Sequence, residues 1–405
     1  MSDLPPRTSA LPPSPFVRLN ALLGAPPAGL QPVALSVGEP QGPVPSFVAE
    51  ILARETAAFA KYPPIQGTDA LRGAIAAWAT RRYALEPGAI DPETMVLPLS
   101  GTREGLFMAT FAVVPERKAG ARPAVLLPNP FYSAYPAGAL ASGAEPIYVN
   151  ALKETGFLPD FAALDEATLA RTAAVFIASP SNPEGAVADL AYWKGLFELS
   201  DRYGFTILAD ECYSEIYPGE TPPLGAFQAA RALGRSFERL LVFNSLSKRS
   251  GLAGLRSGFV AGDAKIVAAY RDLRSNAGPQ LSGPLQAVSA HAWGDEAHVE
   301  TNRAIYRANM RIAAEELGNR AWFRLPEAGF FLWLETGAGE ETALKLWRQA
   351  ALRVVPGAYL ANAAGVGLRS GNSGAAFIRV ALVNGPETTR AALKSLASVL
   401  TGPGT

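Results

Sequence analysis

The residues best able to do chemistry stand together in Asn244-Ser-Leu-Ser-Lys-Arg-Ser-Gly-Leu-Ala-Gly-Leu-Arg-Ser-Gly-Phe259. Lys248 directly follows Ser247 and lies just after Ser245, and Arg256 comes later in the same stretch. The apolar run Leu240-Leu-Val-Phe243 leads in and Phe259-Val-Ala leads out, which reads as strand, polar turn, strand. A lysine at a turn beside a buried strand is partly desolvated, which lowers its pKa and frees the amine for nucleophilic work. Hydroxyls and a guanidinium close by make a site for a phosphate dianion. A reactive lysine with a phosphate cradle is what an aldehyde carrying a phosphate requires, and pyridoxal phosphate is such a molecule. Taken alone, the stretch is equally a surface lysine in a serine-rich loop.

Further candidates follow strands. Met95 to Phe107 reads as strand, glycine turn and helix start, where Gly101 lets an anion approach backbone N–H groups and Thr102 adds a hydroxyl. Asn129-Pro-Phe-Tyr-Ser-Ala-Tyr135 ends the buried strand Pro123–Pro128 with aromatic rings, one of which could stack on a planar ligand or simply fill core. Ser179-Pro-Ser-Asn-Pro-Glu-Gly185 ends another strand, and Asn182 can donate from its amide to an oxygen. Asp210 ends the fully apolar strand Phe205–Ala209, so a buried carboxylate there needs a partner, either a backbone cap or a protonated ring nitrogen. Arg379 lies inside the apolar strand Ala376–Val383 and must find an anion or carbonyls. Tyr62 sits in an irregular segment before Gly67, where Thr68 caps the helix running to about Tyr83.

The elements that position these groups are an alternation of strands and helices from about residue 50 to 280, which argues an α/β domain with a largely parallel sheet. The candidates fall at the carboxyl ends of strands, where open α/β sheets hold ligands. Later segments change character. Helices at about 284–317 lead to a hairpin-like pair of strands around Glu327-Ala-Gly329. A helix at 340–352, the strand with Arg379 and a helix at 386–400 then complete a smaller α+β domain. The division expected is an N-terminal arm at 1–32, a small domain from 33–49 and 285–405, and a large domain at 50–284. The proline-rich arm cannot bury itself alone, so its apolar patch Phe16–Leu23 lies across another surface.

With 405 residues, 49% of them hydrophobic and 18% charged, the chain can bury a large core. Lysine plus arginine equals aspartate plus glutamate at 36 each, which leaves no basic excess for nucleic acid. No apolar run is long enough for a bilayer, and the first ten residues lack the order of a signal peptide, so a cytoplasmic location is expected. A single cysteine, Cys212, and two histidines argue against disulfides and against metal sites.

In order, these motifs are Tyr-x4-Gly-x3-Leu-Arg, Ser-Gly-Thr, Asn-Pro-x-Tyr, Ser-Asn-Pro-x-Gly, Asp-x-x-Tyr, Ser-x-Ser-Lys, Gly-Leu-Arg-x-Gly and a late arginine in a strand. The set resembles the class I/II aminotransferases, pyridoxal-phosphate enzymes of fold type I, over about residues 30–400. The resemblance implies a mostly parallel seven-stranded sheet flanked by helices, with a smaller α+β domain. It implies that Lys248 carries the cofactor as a Schiff base and shuttles a proton between Cα and C4′. Asp210 would pair with the pyridine N–H⁺, and Tyr213 and Asn182 would bond the ring's phenolate oxygen. Tyr132 would stack on the ring, and Gly101, Thr102, Arg103, Ser245, Ser247 and Arg256 would hold the phosphate. Tyr62 would reach the phosphate of a neighbouring subunit, which implies a homodimer. Arg379 would clamp the substrate α-carboxylate, aided by Asn182 and the backbone near Gly38. More narrowly, Phe243–Asp263 and Ala292-Trp-Gly-Asp-Glu-Ala-His-Val299 with Asn302-Arg303 are similar to the N-succinyldiaminopimelate aminotransferases of lysine biosynthesis. That subgroup exchanges an amine between glutamate and N-succinyl-2-amino-6-oxopimelate. An aminotransferase of other specificity and a β-lyase share every one of these motifs.

Overall fold

The computed structural model describes residues 11 and 13–401. The remainder of the expected arm, residues 1–10 and 12, lies outside the described residues. The centre is a seven-stranded sheet of β2 (Val96–Leu99), β3 (Ala124–Asn129), β4 (Glu145–Asn150), β5 (Thr172–Ala178), β6 (Thr206–Asp210), β7 (Leu240–Ser245) and β8 (Gly258–Gly262). Their spatial order is 2-8-7-6-5-3-4, and only β8 runs against the rest. The inner strands are buried along almost their whole length, as continuous apolar runs in a parallel sheet must be. Because six strands point the same way, their carboxyl ends share one edge. Asn129, Ala178, Asp210 and Ser245 come from four of those ends.

Helices cover both faces. Thr68 caps the helix Asp69–Arg82, its hydroxyl accepting from the Leu71 N–H at 3.3 Å. Against it packs the helix Gly283–Gly294, with Trp293 tilted on Trp78 at 4.7 Å between ring centroids. A second, three-stranded antiparallel sheet joins β9 (Phe331–Glu335), β11 (Val355–Pro356) and β12 (Phe377–Ala381) in the order 11-12-9. Helices Ala297–Leu317, Gly339–Ala350 and Pro386–Leu400 pack with it around a second core that includes Leu332, Leu346, Val380 and Leu393. The short strands β1 (Val33–Ala34) and β10 (Leu352–Arg353) pair in parallel and tie the early chain to this part. The helix Pro15–Leu23 buries Leu19 and Leu23 against the same chain, and Arg18 lies 3.8 Å over the Tyr359 ring.

Two local expectations are corrected. The turn after β7 is not a simple polar loop: Leu246–Arg249 closes one turn of α-helix, followed by a 3-10 turn at Ala253–Leu255. The hairpin around Glu327-Ala-Gly329 does not form. Pro326 has no N–H to give, the Glu327 and Ala328 N–H groups donate to Gly185 O at 2.9 and 3.2 Å, and β9 pairs with β12 instead. The edge strand β4, Glu145-Pro-Ile-Tyr-Val-Asn, carries a proline and is half-exposed at its start, a pattern that suits a sheet edge.

Candidate active site

One cleft of about 1040 Å³ opens where the strand ends meet the second sheet. Its walls include Gly38, Thr102, Arg103, Tyr132, Asn182, Asp210, Tyr213, Ser245, Ser247, Lys248, Arg256 and Arg379. Residues more than 340 positions apart in the chain therefore meet, as the hydrogen bond from Arg379 to Ser36 illustrates.

Asp210 sits at the floor because β6 ends there. Its Oδ2 accepts from the Tyr135 hydroxyl at 2.8 Å, and its Oδ1 accepts from the Cys212 N–H at 3.1 Å. Burial pushes the carboxyl above its ordinary pKa, and the bonds from Cys212 and Tyr135 oppose that rise. Lys248 faces the same space from the helical turn after β7, its Nζ donating to Gly38 O. Burial lowers the amine to about 8, with Cys212 and Glu39 opposing and Arg379 and Arg256 adding to the effect. An amine with that pKa is neutral in a useful fraction near neutrality, as a nucleophile or proton carrier needs.

Gly101 precedes the helix Thr102–Val113 with φ +86°, and a Cβ there would meet Arg256 Nη2 at 2.4 Å. Its absence lets the Arg256 guanidinium close on the helix N-terminus, where N–H groups and cation together favour an anion. The Thr102 hydroxyl lies 3.1 Å from Cys212 Sγ. Arg103 Nε donates to the Tyr132 hydroxyl at 2.8 Å and so fixes that ring at the cleft wall.

Arg379 is 5% exposed. Its Nη1 donates to Asn182 Oδ1 at 3.1 Å, its Nη2 donates to Ser36 O at 2.7 Å, and Phe331 lies 4.2 Å beneath it. Its Nε is buried without a partner. Burial lowers its pKa to about 10, so the guanidinium stays charged at neutral pH. Asn182 Nδ2 lies 3.5 Å from the Tyr213 hydroxyl. At Gly38 a Cβ would strike the Phe331 ring at 2.4 Å, so only glycine lets that backbone approach.

Twelve of the fourteen residues singled out in the sequence thus line one cleft, and Gly101 borders it. Tyr62 does not: its side chain is fully exposed and outside the lining residues. Tyr135, one of the aromatic rings that the sequence offers for stacking or core, holds Asp210 through its hydroxyl. Its signal was a second tyrosine one helical turn after Tyr132. Arg249, beside the lysine, points away from the cleft and is buried against Glu296, 2.7 Å from its Oε1.

A cation at Arg379, an amine at Lys248, a carboxylate at Asp210 and an anion cradle at Gly101 and Arg256 define a site for a phosphorylated, ring-bearing aldehyde and a carboxylate-bearing substrate. The family model "Aminotransferase class I and II" matches residues 31–396. The chain belongs to that family and is a pyridoxal-phosphate-dependent aminotransferase. It is 31% identical to the LL-diaminopimelate aminotransferase of Desulforudis audaxviator over 361 residues, which is 87% of this chain and 88% of that one. It is 32% identical to the 4-dedimethylamino-4-oxo-anhydrotetracycline transaminase OxyQ of Streptomyces rimosus, covering 91% and 94%. Its fold is similar to an aminotransferase crystal structure from Neisseria meningitidis, with TM-score 0.92, 39% identity and coverage of 98% and 99%. Among the described residues, no helix is long and apolar enough to cross a membrane.

Proposed function

We propose that this aminotransferase moves an amine between glutamate and N-succinyl-2-amino-6-oxopimelate. The observation that carries a transaminase reading is the convergence of Lys248, Asp210 and Arg379 on one cleft. The cleft's volume of about 1040 Å³ leaves room for a long, branched acyl substrate. The residues present fit pyridoxal phosphate: Asp210 offers a carboxylate to a ring N–H⁺, and Gly101, Thr102, Ser245 and Arg256 surround a place for its phosphate. When bound, the cofactor supplies an electrophilic aldehyde and a ring that takes up the electron pair released at the substrate Cα.

The chain's own groups do the rest. Arg379 binds the α-carboxylate through its charged fork, with the Asn182 amide beside it. That clamp would turn the Cα–H towards Lys248, whose amine, lowered to about 8, would take the proton from Cα and give it to the carbon that was the cofactor's aldehyde. Asp210, held by Tyr135 and the Cys212 N–H, would keep the ring nitrogen protonated. Tyr213 would bond the ring hydroxyl, Tyr132 would stack, and the Arg103 backbone with Ser245 and Ser247 would complete the phosphate cradle. The proposed assembly is a cytoplasmic homodimer in which exposed Tyr62 reaches the neighbouring phosphate. The proposed domains are the arm 1–32, the small domain 33–49 with 285–405, and the large domain 50–284.

A second reading, direct transfer to and from LL-diaminopimelate, is favoured by relatives carrying that name, among them those of Desulforudis audaxviator and Moorella thermoacetica. Single-turnover half-reactions separate the two. The cofactor-loaded protein is mixed with glutamate, N-succinyl-LL-diaminopimelate, LL-diaminopimelate, aspartate, alanine or an aromatic amino acid, and the loss of its absorbance band is timed. Fastest loss with the succinylated compound among the non-glutamate donors supports the first reading. Silence with that compound rejects it, and pyruvate with ammonia as products would mark a lyase.

A further inference from the structure

The similarity segment Ala292–Val299 with Asn302-Arg303 has no place in the cleft, yet its contacts end at the lysine. Lys248 stands in a four-residue helical turn, Leu246–Arg249. So short a turn has few bonds of its own, among them that from the Ser250 N–H to Leu246 O at 3.1 Å. The carbonyls at its end have no helical donor of their own. Asn302, 8% exposed on the helix Ala297–Leu317, answers two of them: its Nδ2 donates to Lys248 O at 2.8 Å and to Arg249 O at 3.0 Å. The next residue is anchored as well. The Arg249 guanidinium lies 5.6 Å from the Trp78 ring and 5.1 Å from the Trp293 ring, and Nη1 donates to Ala292 O at 2.7 Å. The neighbouring Arg303 holds the loop that carries Tyr213, donating to Glu215 O at 2.9 Å and to Glu215 Oε2 at 3.0 Å.

We propose that Asn302 is a positioning residue for Lys248: its amide clamps the end of the lysine's turn and so sets where the amine stands in the cleft. The proposal rests on Lys248 being the cofactor-bearing lysine. A rigid core would hold the main chain near its place without this amide. The amide fixes the last fraction of an ångström, where proton transfer and carbonyl addition are most sensitive.

Asn309 provides the control. It lies on the same helix, is fully buried, and its Nδ2 also donates to two carbonyls, Leu382 O at 3.0 Å and Asn384 O at 2.8 Å, away from the lysine turn. Asn302→Leu and Asn309→Leu remove the same number of donors without adding charge. Three readouts are taken on each: the pH titration of the bound cofactor's absorbance, the rate at which apoprotein takes up pyridoxal phosphate, and kcat with KM. Asn302→Leu is expected to shift the absorbance titration, slow the uptake and lower kcat about tenfold to hundredfold with KM little changed. Asn309→Leu is expected to lower Tm by a similar amount and to leave all three readouts at the wild-type values. If Asn302→Leu does not fold, Asn302→Ser, which keeps one donor, is expected to show the same changes in smaller measure. Equal behaviour of the two positions, a loss of Tm alone, overturns the proposal. The underlying assignment fails separately, if Lys248→Ala keeps the wild-type band.

Discussion

Replacing Arg379 by alanine separates recognition of the substrate from everything else the cleft does. The guanidinium is charged, buried and already committed to Asn182 Oδ1 and Ser36 O, while its Nε has no partner. A buried donor left unmet costs about 1–3 kcal/mol, and an arriving carboxylate relieves that cost. A carboxylate in the fork gains two charge-assisted bonds of about 1.5–3 kcal/mol each. Loss of both therefore removes about 3–6 kcal/mol, or roughly two to four powers of ten in kcat/KM. Arg379→Lys keeps a charge but loses the planar fork, so its loss is expected to be intermediate. The assay is the single-turnover reaction with glutamate, run beside an amine of equal length that lacks the α-carboxylate. The variant should lose its rate with glutamate and keep it with the amine, with the cofactor's absorbance unchanged. A loss below about tenfold with glutamate, or an equal loss with both amines, would refute the carboxylate clamp.

Other consequences follow from the same contacts. Tyr135→Phe deletes the 2.8 Å bond to Asp210 Oδ2. That bond favours the charged carboxylate, so its loss raises the Asp210 pKa and moves the acid limb of the kcat/KM profile to higher pH; an unmoved or lowered limb contradicts the role given to Tyr135. Glu184 is buried with Oε1 unpartnered, and burial raises it to about 7, so the folded state binds an extra proton between its unfolded value and about pH 7, and stability is lost as pH rises through that window. Glu184→Gln mimics the protonated form, so it should raise Tm clearly at pH 8 and progressively less as pH falls towards the unfolded carboxylate value, the opposite pattern being the refutation. Tyr62→Ala and Lys248→Ala subunits, each inactive alone, should regain activity when mixed and re-formed as dimers, because one site then has an intact lysine and a neighbour's intact tyrosine; no recovery would place Tyr62 outside the site.

Most of the site was legible because its residues punctuate strands. An apolar run that stops at Asp210 or Ser245 advertises a buried polar group, and a parallel sheet collects such groups on one edge. Arg379 was legible for a different reason, a lone guanidinium in an apolar strand. What the chain order could not reveal is which side chain holds which. Tyr135 reads as a stacking ring or as core until the fold brings it to Asp210, and Arg249, to which the sequence assigns no role, is packed against two tryptophans. The absent hairpin at Glu327 has the same cause: the local pattern suggests two strands, but the N–H groups of Glu327 and Ala328 donate to the distant Gly185 O. Tyr62 is exposed in this chain, and the role proposed for it would need a second chain, which no local pattern can display.

The most direct test of the account is where the cofactor attaches. The purified protein is treated with borohydride, digested, and the peptide that keeps the reduced pyridoxyl group is identified by mass. The expected result is a yellow protein that bleaches on reduction, with the whole of the label on Lys248 and none in Lys248→Ala. A label on another lysine, or a Lys248→Ala protein that still turns yellow and bleaches, would contradict it.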